Sequence, residues 1–567
     1  MKYFITISFL FFVAFANAQT LQWAKAMGGI NSNDGGFSIT TDASGNVYTT
    51  GNFWGTADFD PGPGIYNLTS AGWLDIFISK LDASGNFVWA KAMGAGGHDR
   101  GRSITTDASG NVYTTGDFIG IVDFDPGAGT FNLTGVSNSH IFISKLDATG
   151  NFIWAKSMDG TAGLSIAIDP FDNVYTTGNF LDTADFDPSA GVFNLTSKGF
   201  YDIFISKLDS SGNFVWAKAM GGTGFDSGRS ITIDAFGNVF ITGQFAGTAD
   251  FDPDAGTFNL TSSGSYDIFI SKLDTSGNFI WAKAIGGAAS DGSSAIATDA
   301  SGNVYTTGYF ESTADFDPSA ATFNLISTGL KDIFISKLDS SGSFAWAVAM
   351  GGTASDGCGS VRIDAANNVY TTGGFEGTVD FDPGAGIFNL TSAGLGDIFI
   401  YKSDASGNFV WANAVGGTAI DGGTSITIDA FGNIYTTGSF TGTVDFDSGV
   451  SVFNLTSSGG NDIFVQKIGQ PAGVYENNND NILFVSPNPT TGIFTIQMIN
   501  GNTSTINHQP LTIEVYNVLG EKVHSLSPSG GGAGGGFAVD LSNQPSGIYF
   551  YKVESKNETI TGKLIIE

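Results

Sequence analysis

Seven pairs of aspartates recur along the chain, and in each pair one phenylalanine separates the two acids. Residues two apart in an extended chain point to the same side, so the two carboxylates lie about 6.6 Å apart and face away from the phenylalanine. Carboxylate oxygens suit Ca²⁺, which makes the pairs candidate calcium ligands and calcium the one cofactor that the sequence suggests. We favour the alternative that the second aspartate caps a turn while the phenylalanine anchors the core, because a Ca²⁺ shell needs about 6 to 8 oxygens. The pairs are Asp58/Asp60, Asp123/Asp125, Asp185/Asp187, Asp250/Asp252, Asp315/Asp317, Asp380/Asp382 and Asp445/Asp447.

Aromatic residues in the long connections are the second candidate for binding. In the copies of the repeat described below, the position of Trp54 holds residues as different as Ala246 and Glu311, which indicates that it faces solvent. Exposed aromatic rings suit stacking on sugars or a protein-binding hot spot. Packing between neighbouring loops is the alternative, and we favour it. The candidate ligand face comprises Trp54, Trp73, Phe200, Tyr201 and Tyr266.

Residues for catalysis are sparse. Glu311 and Glu376 occupy equivalent sites in adjacent repeats, which leaves a two-carboxylate glycosidase conceivable in principle, but we do not favour it. His98 and His140 carry neither a nucleophile motif nor metal-ligand spacing, so we interpret them as loop or edge residues. Cys358, the one cysteine, lies between two glycines at a strand start, which favours a small buried residue. The sequence therefore predicts no catalytic site.

Composition excludes several partners. The 567 residues carry 54 acidic and 23 basic side chains, and the net charge of −31 opposes nucleic acids and anionic membranes. A hydrophobic content of 41% is enough for a packed core. The N-terminal apolar run is too short for a transmembrane helix, and no later stretch reaches the roughly 20 apolar residues that one needs.

The N-terminal segment has the pattern of a secretory signal peptide. Lys2 precedes an apolar run from Tyr3 to Ala14, and Ala16-Asn17-Ala18 forms a cleavage motif. We therefore expect residues 1–18 to be removed near Ala18 and the mature protein to pass through the periplasm.

An internal repeat accounts for most of the chain. Seven tryptophans, from Trp23 to Trp411, are spaced 62 to 66 residues apart, a period that suits a small β-sheet. Each copy reads as strands joined by short turns such as Asp42 to Asn46, in which Gly45 should adopt positive φ. Asp172 and Asn367 replace that glycine in two copies, as expected for a left-handed position. The DIFISK segments carry apolar residues on both faces, so these strands should be covered on both sides.

The two ends of the repeated region supply complementary halves of one unit. Trp23 has no DIFISK strand before it, and the strand from Asp462 to Lys467 has no tryptophan strand after it, so the first strand can complete the last sheet and close a ring. The recurring motifs at Gly45–Gly51 and Asp75–Leu81 resemble the seven-bladed β-propeller repeat family over Leu21 to about Ile468. This resemblance implies a seven-bladed propeller over residues 19–469 but no particular activity.

A different pattern follows the repeats. Residues 470–481 read as a polar linker, and residues 482–567 as alternating strands of a small β-sandwich. The motifs Ser486–Pro489, Val518–Val523, Gly547–Tyr549 and Lys563–Ile566 resemble the type A C-terminal sorting domain of the type IX secretion system. The resemblance implies recognition by that machinery and delivery outside the cell or to its surface.

The sequence therefore predicts an all-β protein, a seven-bladed β-propeller followed by a C-terminal β-sandwich. In an antiparallel blade the long connections share one face, where binding functions concentrate. We expect a non-enzymatic binding, adhesion or scaffold protein with an extracellular protein or glycan as partner. The alternative is a carbohydrate-binding lectin or a carbohydrate-active enzyme.

Overall fold

The structure is a computed structural model that describes residues 20–30, 33–449, 451–469, 481–486, 493–500, 512–517, 521–526, 537–545, 547–554 and 559–566. The predicted signal peptide and nearly all of the predicted linker lie outside these residues. The chain divides into two compact units, Leu21–Ile468 and a C-terminal unit that begins at Gly469. The part of the chain that the structure describes contains no helix long and apolar enough to cross a membrane.

The first unit is built from 36 strands among its described residues. The chain begins with β1 (Thr20–Gly29) and continues with β2 (Gly35–Thr41), β3 (Val47–Phe53), β4 (Thr56–Asp58), β5 (Asn67–Thr69), β6 (Asp75–Leu81) and β7 (Phe87–Met93). The next two repeats contribute β8 (Arg100–Thr106), β9 (Val112–Asp123), β10 (Asn132–Leu146), β11 (Phe152–Met158), β12 (Ala162–Ile168), β13 (Val174–Asp185), β14 (Asn194–Leu208) and β15 (Phe214–Gly222). The two after these contribute β16 (Ser227–Ile233), β17 (Val239–Phe245), β18 (Thr248–Asp250), β19 (Asn259–Thr261), β20 (Asp267–Leu273), β21 (Phe279–Gly287), β22 (Gly292–Thr298), β23 (Val304–Asp315), β24 (Asn324–Leu338) and β25 (Phe344–Met350). The last two contribute β26 (Gly357–Ile363), β27 (Val369–Phe375), β28 (Thr378–Asp380), β29 (Asn389–Thr391), β30 (Asp397–Ser403), β31 (Phe409–Val415), β32 (Gly422–Ile428), β33 (Ile434–Phe440), β34 (Thr443–Asp445), β35 (Asn454–Thr456) and β36 (Asp462–Gly469).

Within the pairing of the described strands, a four-stranded antiparallel unit occurs seven times, and we call these units blades one to seven. The pairs β1–β4, β15–β18 and β21–β23 join some neighbouring blades into larger sheets. From the innermost strand outwards, the blades are β2-β3-β6-β7, β8-β9-β10-β11, β12-β13-β14-β15, β16-β17-β20-β21, β22-β23-β24-β25, β26-β27-β30-β31 and β32-β33-β36-β1. The first strand of the chain therefore forms the outer edge of the last blade. The seven innermost strands contact one another in sequence, and β32 contacts β2, so the blades form a closed ring. These sheets confirm the predicted all-β fold class.

Packing between blades explains why the DIFISK strands are apolar on both faces. Ile76, Phe77 and Ile78 of β6 are all fully buried, because neighbouring blades cover both sides of the sheet. Near the axis, serine side chains join adjacent blades: Ser38 Oγ accepts a hydrogen bond from the Ile104 amide at 3.2 Å. Ser425 Oγ accepts one from the Ile39 amide at 3.3 Å, across the junction between the last blade and the first.

The short turns follow the predicted chemistry. Asp42 Oδ1 accepts hydrogen bonds from the amides of Ser44 and Asn46 at 2.9 and 3.0 Å. Gly45 has a φ of 76°, and its equivalents Asp172 and Asn367 have φ values of 60° and 63°. The left-handed conformation is thereby confirmed at all three positions.

Every innermost strand contains a β-bulge at the same place. In β8 the pairing register shifts between Gly101 and Ser103, which leaves Arg102 as the extra residue. A bulge re-aims the side chain of its extra residue, and here that residue lies on the strand nearest the axis. The bulged residues of the seven blades are Phe37, Arg102, Leu164, Arg229, Ser294, Gly359 and Thr424.

The C-terminal unit contains two antiparallel sheets among its described residues. One has the order β37 (Asn481–Ser486), β38 (Ile493–Asn500) and β41 (Phe537–Asp540). The other has the order β40 (Lys522–Leu526), β39 (Thr512–Asn517), β42 (Gly547–Glu554) and β43 (Thr559–Ile566). Ile513, Val515 and Tyr551 are buried at 0–1% exposure and supply core residues of the second sheet.

Candidate functional site

Strand direction places the two kinds of connection on opposite faces of the propeller. In blade one, the short turns at 42–46 and 82–86 lie on one face, and connections 54–74 and 94–99 lie on the other. We call the second face, with the equivalent connections of the other blades, the long-connection face. All five aromatic candidates and all seven acidic pairs lie on connections of this face.

The acidic pairs form turns within these connections. Asp58 Oδ1 accepts hydrogen bonds from the amides of Asp60 and Tyr66 at 3.0 and 2.8 Å. Asp60 Oδ1 accepts one from the Gly62 amide at 2.8 Å, while Phe59 between them is fully buried. Asp58 also lies in a short strand that pairs with Gly28 of β1, so this turn ties blade one to blade seven.

The other six pairs repeat these contacts. The first aspartate accepts hydrogen bonds from the amide of the second and from the amide of the phenylalanine eight residues on, at 2.8–3.2 Å; these first members are Asp123, Asp185, Asp250, Asp315, Asp380 and Asp445. The second aspartate is half-buried, and its Oδ1 accepts a hydrogen bond from the amide two residues on, at 2.8–3.0 Å; these second members are Asp125, Asp187, Asp252, Asp317, Asp382 and Asp447. In all seven pairs, the Oδ1 atom of each carboxylate therefore accepts a hydrogen bond from the backbone of its own turn.

This placement differs from what a calcium site at the pairs would need. The seven pairs lie in separate turns, and their Oδ1 atoms cap backbone amides, as in the turn-capping alternative that we favoured. Among the described residues, no group of three or more His, Cys, Asp or Glu side chains converges in a way that could hold a metal ion. The structure thus brings together no calcium shell around Asp60, Asp125, Asp187, Asp252, Asp317, Asp382 or Asp447, and calcium binding there stays a prediction.

Trp54 and Trp73 stack on each other at the outer surface of the long-connection face. Their ring centroids lie 6.0 Å apart with an interplanar angle of 16°, and the side chains are 40% and 60% exposed. The stack forms because Phe53 and Asp75 are paired at the end of the β3–β6 ladder, which leaves the residues just beyond them side by side. His98, from the link to blade two, extends the stack with its ring 5.8 Å from Trp73.

A second aromatic cluster crosses the junction of blades three and four. Phe200, 55% exposed, contacts Tyr201 at a centroid distance of 4.8 Å. Phe225 lies 5.3 Å from Tyr201 and 6.0 Å from Tyr266, so it connects the predicted residues. Sequence analysis missed Phe225. Phe225 lies just before Asp226, as His98 lies just before Asp99 in the equivalent connection, and this equivalence was the signal that could have identified it.

The glutamates and histidines occupy separate places. Glu311 lies on the long-connection face, where its carboxylate is 3.9 Å from the Lys331 ammonium group. Glu376 occupies the same position in the next blade. His140 contacts Asp159 at 3.4 Å, and burial lowers the pKa of its imidazole.

Cys358 is buried on the innermost strand of blade six. Its side chain is 4% exposed, and its Sγ lies 3.3 Å from the Thr372 carbonyl oxygen. Burial raises the pKa of the thiol, which keeps it in the unreactive protonated form. Cys358 is therefore a small buried residue, as its flanking glycines indicated.

Buried aspartates hold the long connections in place, and sequence analysis gave them no role. One set begins the third strand of a blade and the other lies in the glycine-rich link that follows the blade. Asp226, a link aspartate, accepts hydrogen bonds from the Gly222 and Ala246 amides at 2.7 and 3.1 Å. Asp202, a strand aspartate, accepts one from the Lys198 amide at 3.0 Å, while its Oδ1 is buried without a hydrogen-bond partner. Burial, reinforced by the charge of Asp226, raises the pKa of Asp202 to about 7.

Six blades carry both aspartates. The strand and link members are Asp75/Asp99, Asp202/Asp226, Asp267/Asp291, Asp332/Asp356, Asp397/Asp421 and Asp462/Asp34, each 0–3% exposed. These aspartates are buried because the links pack over them, and the periodicity of the strands does not predict that packing.

Comparisons with known proteins separate the two units. Residues 485–567 match the family model of the secretion system C-terminal sorting domain. Much of the chain is similar to an uncharacterized WD repeat-containing protein of Acanthamoeba polyphaga mimivirus, with 24% identity over 507 residues that cover 74% of this chain and 36% of the relative. A second relative is the regulatory protein FlaEY of Caulobacter vibrioides, with 25% identity over 258 residues that cover 43% of this chain and 25% of the relative.

The chain thus spans about a third or less of the length of these curated relatives. The repeats named for the mimivirus protein agree with the β-propeller architecture seen in the strand pairing. The family match confirms the predicted type IX sorting domain at the C-terminal end and indicates a protein that is secreted or displayed at the cell surface.

Proposed function

We propose that this protein is a secreted or cell-surface binding protein, non-enzymatic, that uses the long-connection face of its propeller to hold an extracellular protein or glycan. The sorting-domain match supports the location. The exposed Trp54–Trp73 stack is the observation that carries the binding role. Two large rings held in register offer apolar area at little further entropic cost, which is the property of binding hot spots.

The separation of the aromatic residues into two clusters favours a partner large enough to contact both. The Trp54–Trp73–His98 stack spans blades one and two, and the Phe200–Phe225–Tyr266 cluster spans blades three and four. A folded protein or a glycan chain can contact several such points on one face, and several weak contacts add to a usable affinity.

The test is binding of labelled mature protein to the surface of cells of the producing bacterium. We expect the double variant Trp54→Ala/Trp73→Ala to bind at least about tenfold more weakly than the wild type, since hot-spot truncations cost about 2 kcal/mol or more. Phe171→Ala is the matched control, because Phe171 is 81% exposed and lies in a short turn on the opposite face. Equal binding by the double variant and the wild type would contradict the proposal.

A glycan-binding lectin is the finer alternative, and the stacked tryptophans favour it because a sugar ring packs on flat aromatic surfaces. Periodate treatment of the cells should abolish binding by a lectin, whereas protease treatment should abolish binding to a protein partner. Hydrolysis of a polysaccharide that disappears in Glu311→Gln would instead establish a carbohydrate-active enzyme.

A further inference from the structure

The innermost strands line an open cavity of about 380 Å³ in the central channel of the propeller. Its lining includes the bulged residues of five consecutive blades, together with Gln244 and Tyr309 from second strands. The bulged residues are Phe37, Arg102, Leu164, Arg229 and Ser294. The bulges aim these side chains at the axis. The residue type at this one position of the repeat therefore determines most of the side chains that line the cavity.

That position concentrates positive charge in an acidic protein. The chain has four arginines, Arg100, Arg102, Arg229 and Arg362, within a net charge of −31. Arg102 and Arg229 line the cavity, and Arg362 lines the adjoining section of the channel. Three of the four arginines therefore face the axis.

The charges in the cavity are only partly compensated. Asp117 accepts a hydrogen bond from Arg102 Nε at 2.8 Å and also contacts Arg100 Nη1 at 3.4 Å. Arg229 has no hydrogen-bond or ion-pair partner among the described residues, although it remains accessible from the cavity. The side chain is open to the cavity, but the protein atoms around it remove part of its hydration, and this desolvation, together with the like charge of Arg102, lowers the pKa of Arg229. The two guanidinium groups of the cavity, Arg102 and Arg229, are therefore balanced only by the Asp117 carboxylate, which Arg100 also contacts, so positive charge is in excess.

The remaining lining defines the kind of anion. Gln244, Ser294 and Tyr309 place polar side chains around the cavity, while Phe37 and Leu164 give it an apolar side. The Arg102 guanidinium lies 5.9 Å from the centroid of the Phe37 ring. A guanidinium binds carboxylate, sulfate or phosphate through paired hydrogen bonds, and the apolar side suits a carbon skeleton. The volume lies within the range of about 300 to 1,000 Å³ that small-molecule sites occupy.

Blades six and seven leave one side of the channel open. The position of Tyr309 holds Gly374 in blade six, where it pairs with Gly357, the first residue of the innermost strand. A Cβ added to Gly357, or to its equivalent Gly422 in blade seven, would meet no atom within 4 Å. A ligand can approach Arg229 across this glycine-lined side.

We propose that the central channel binds a small organic anion, bearing a carboxylate, sulfate or phosphate group, through Arg229 and Arg102. The site is independent of the aromatic clusters on the long-connection face and stands whether or not those clusters bind a partner.

The experiment measures binding to the full mature chain by calorimetry and thermal shift at fixed ionic strength. The probes are glucuronate, glucose 6-phosphate, sodium sulfate and neutral glucose. We expect glucuronate or glucose 6-phosphate to bind and raise the melting temperature, and glucose to have no effect. Binding by sulfate as well would show that the oxyanion alone suffices, whereas binding by the sugar acids only would show that the apolar side also contributes.

Two variants test the location of the site. Arg229→Gln should weaken anion binding at least about tenfold, because hydrogen bonds to a charged group are lost. Lys91→Gln, which removes one positive charge from the outermost strand of blade one, should leave binding unchanged. Gly357→Val keeps every charge but fills the open side, and it should weaken binding of the sugar acids more than that of sulfate.

Three results would overturn the proposal. The first is glucose binding as tightly as glucuronate, and the second is Arg229→Gln binding the anions as tightly as the wild type. The third is no binding of any anionic probe at millimolar concentration.

Discussion

The carboxyl group of Asp75 occupies the space in which a side chain on Gly94 would lie: a Cβ added to Gly94 would overlap Asp75 Cγ and both of its oxygens. Five other blades repeat this relationship between strand aspartate and glycine. In blade two both residues differ together, and His140 Nδ1 lies 3.4 Å from a carboxylate oxygen of Asp159. The blade therefore accepts a carboxylate at either position but not at both.

Exchanging this pair between blades should reveal the coupling. In blade one, Gly94→Asp alone should be strongly destabilising because it places a second carboxylate against Asp75. Asp75→His alone should also destabilise, since it buries an imidazole without its partner. The double variant should be more stable than the sum of the two effects by about 1 to 3 kcal/mol, measured by denaturant unfolding of all four proteins. Strict additivity would contradict the coupling.

The strand aspartates should make the propeller less stable as pH rises. The pKa of Asp202 is about 7 in the folded state, against about 3.9 in an unfolded chain. The folded state therefore binds more protons between these values, and the stability present below pH 4 is lost as pH rises towards 7. Asp202→Asn should flatten the dependence of the unfolding free energy on pH between 5 and 8.

A turn aspartate provides the control for this experiment. Hydrogen bonds from Ser341 hold the pKa of Asp339 below its usual value, so this group loses its stabilising effect only as pH falls below about 4. Asp339→Asn should leave the slope between pH 5 and 8 as it is in the wild type. An unchanged slope in Asp202→Asn would show that other groups cause the pH dependence.

Backbone conformation sets which residues the short turns tolerate. Gly302 has a φ of 76°, and a Cβ there would make only ordinary contacts at 3.5 Å. Gly302→Ala should therefore cost about 1 to 2 kcal/mol from backbone strain alone. Gly302→Asn should cost less, because asparagine tolerates this region, as Asn367 does with a φ of 63°. Thermal unfolding of the two variants distinguishes them, and equal destabilisation would contradict the conformational explanation.

Ring closure by β1 can be tested with two separate molecules, a propeller that lacks β1 and a peptide with the sequence of β1. Removing Thr20–Gly29 should expose the edge of β36 and yield an aggregating or less stable propeller, because Ala24 and Met27 are buried at 2% and 1% exposure. A synthetic peptide of these ten residues should bind the gap and restore the melting temperature. The same peptide with Ala24→Asp is the control and should fail. Full stability without β1 would contradict the closure.

Local patterns sufficed for the features that depend on neighbouring residues in the chain. The positive φ at Asp172 and Asn367 follows from turn chemistry, and the double-sided burial of Phe77 follows from the apolar run around it. The matching halves at Trp23 and Asp462 indicated closure, because each end lacked what the other supplied.

Features that depend on the assembled ring were missed. Nothing in strand periodicity distinguishes Arg229 from an arginine on the outer surface, because the bulge that aims it at the axis breaks the period of two. The burial of Asp202 depends on the link that packs over it, and the stack of Trp54 on Trp73 depends on a ladder that ends just before them. Comparing equivalent positions across repeats would have drawn attention to the arginines, since only two of the seven bulges carry one.

The strand that closes the ring is made first and paired last. More than 400 residues separate β1 from β36, so blade seven stays incomplete until synthesis has passed nearly the whole propeller. Closing so long a loop is entropically slow, which makes this pairing the natural last step of folding. Loss of this pairing leaves blade seven without its outer strand. The rate at which β1 detaches, rather than the strength of any single blade, should set how long the propeller survives outside the cell.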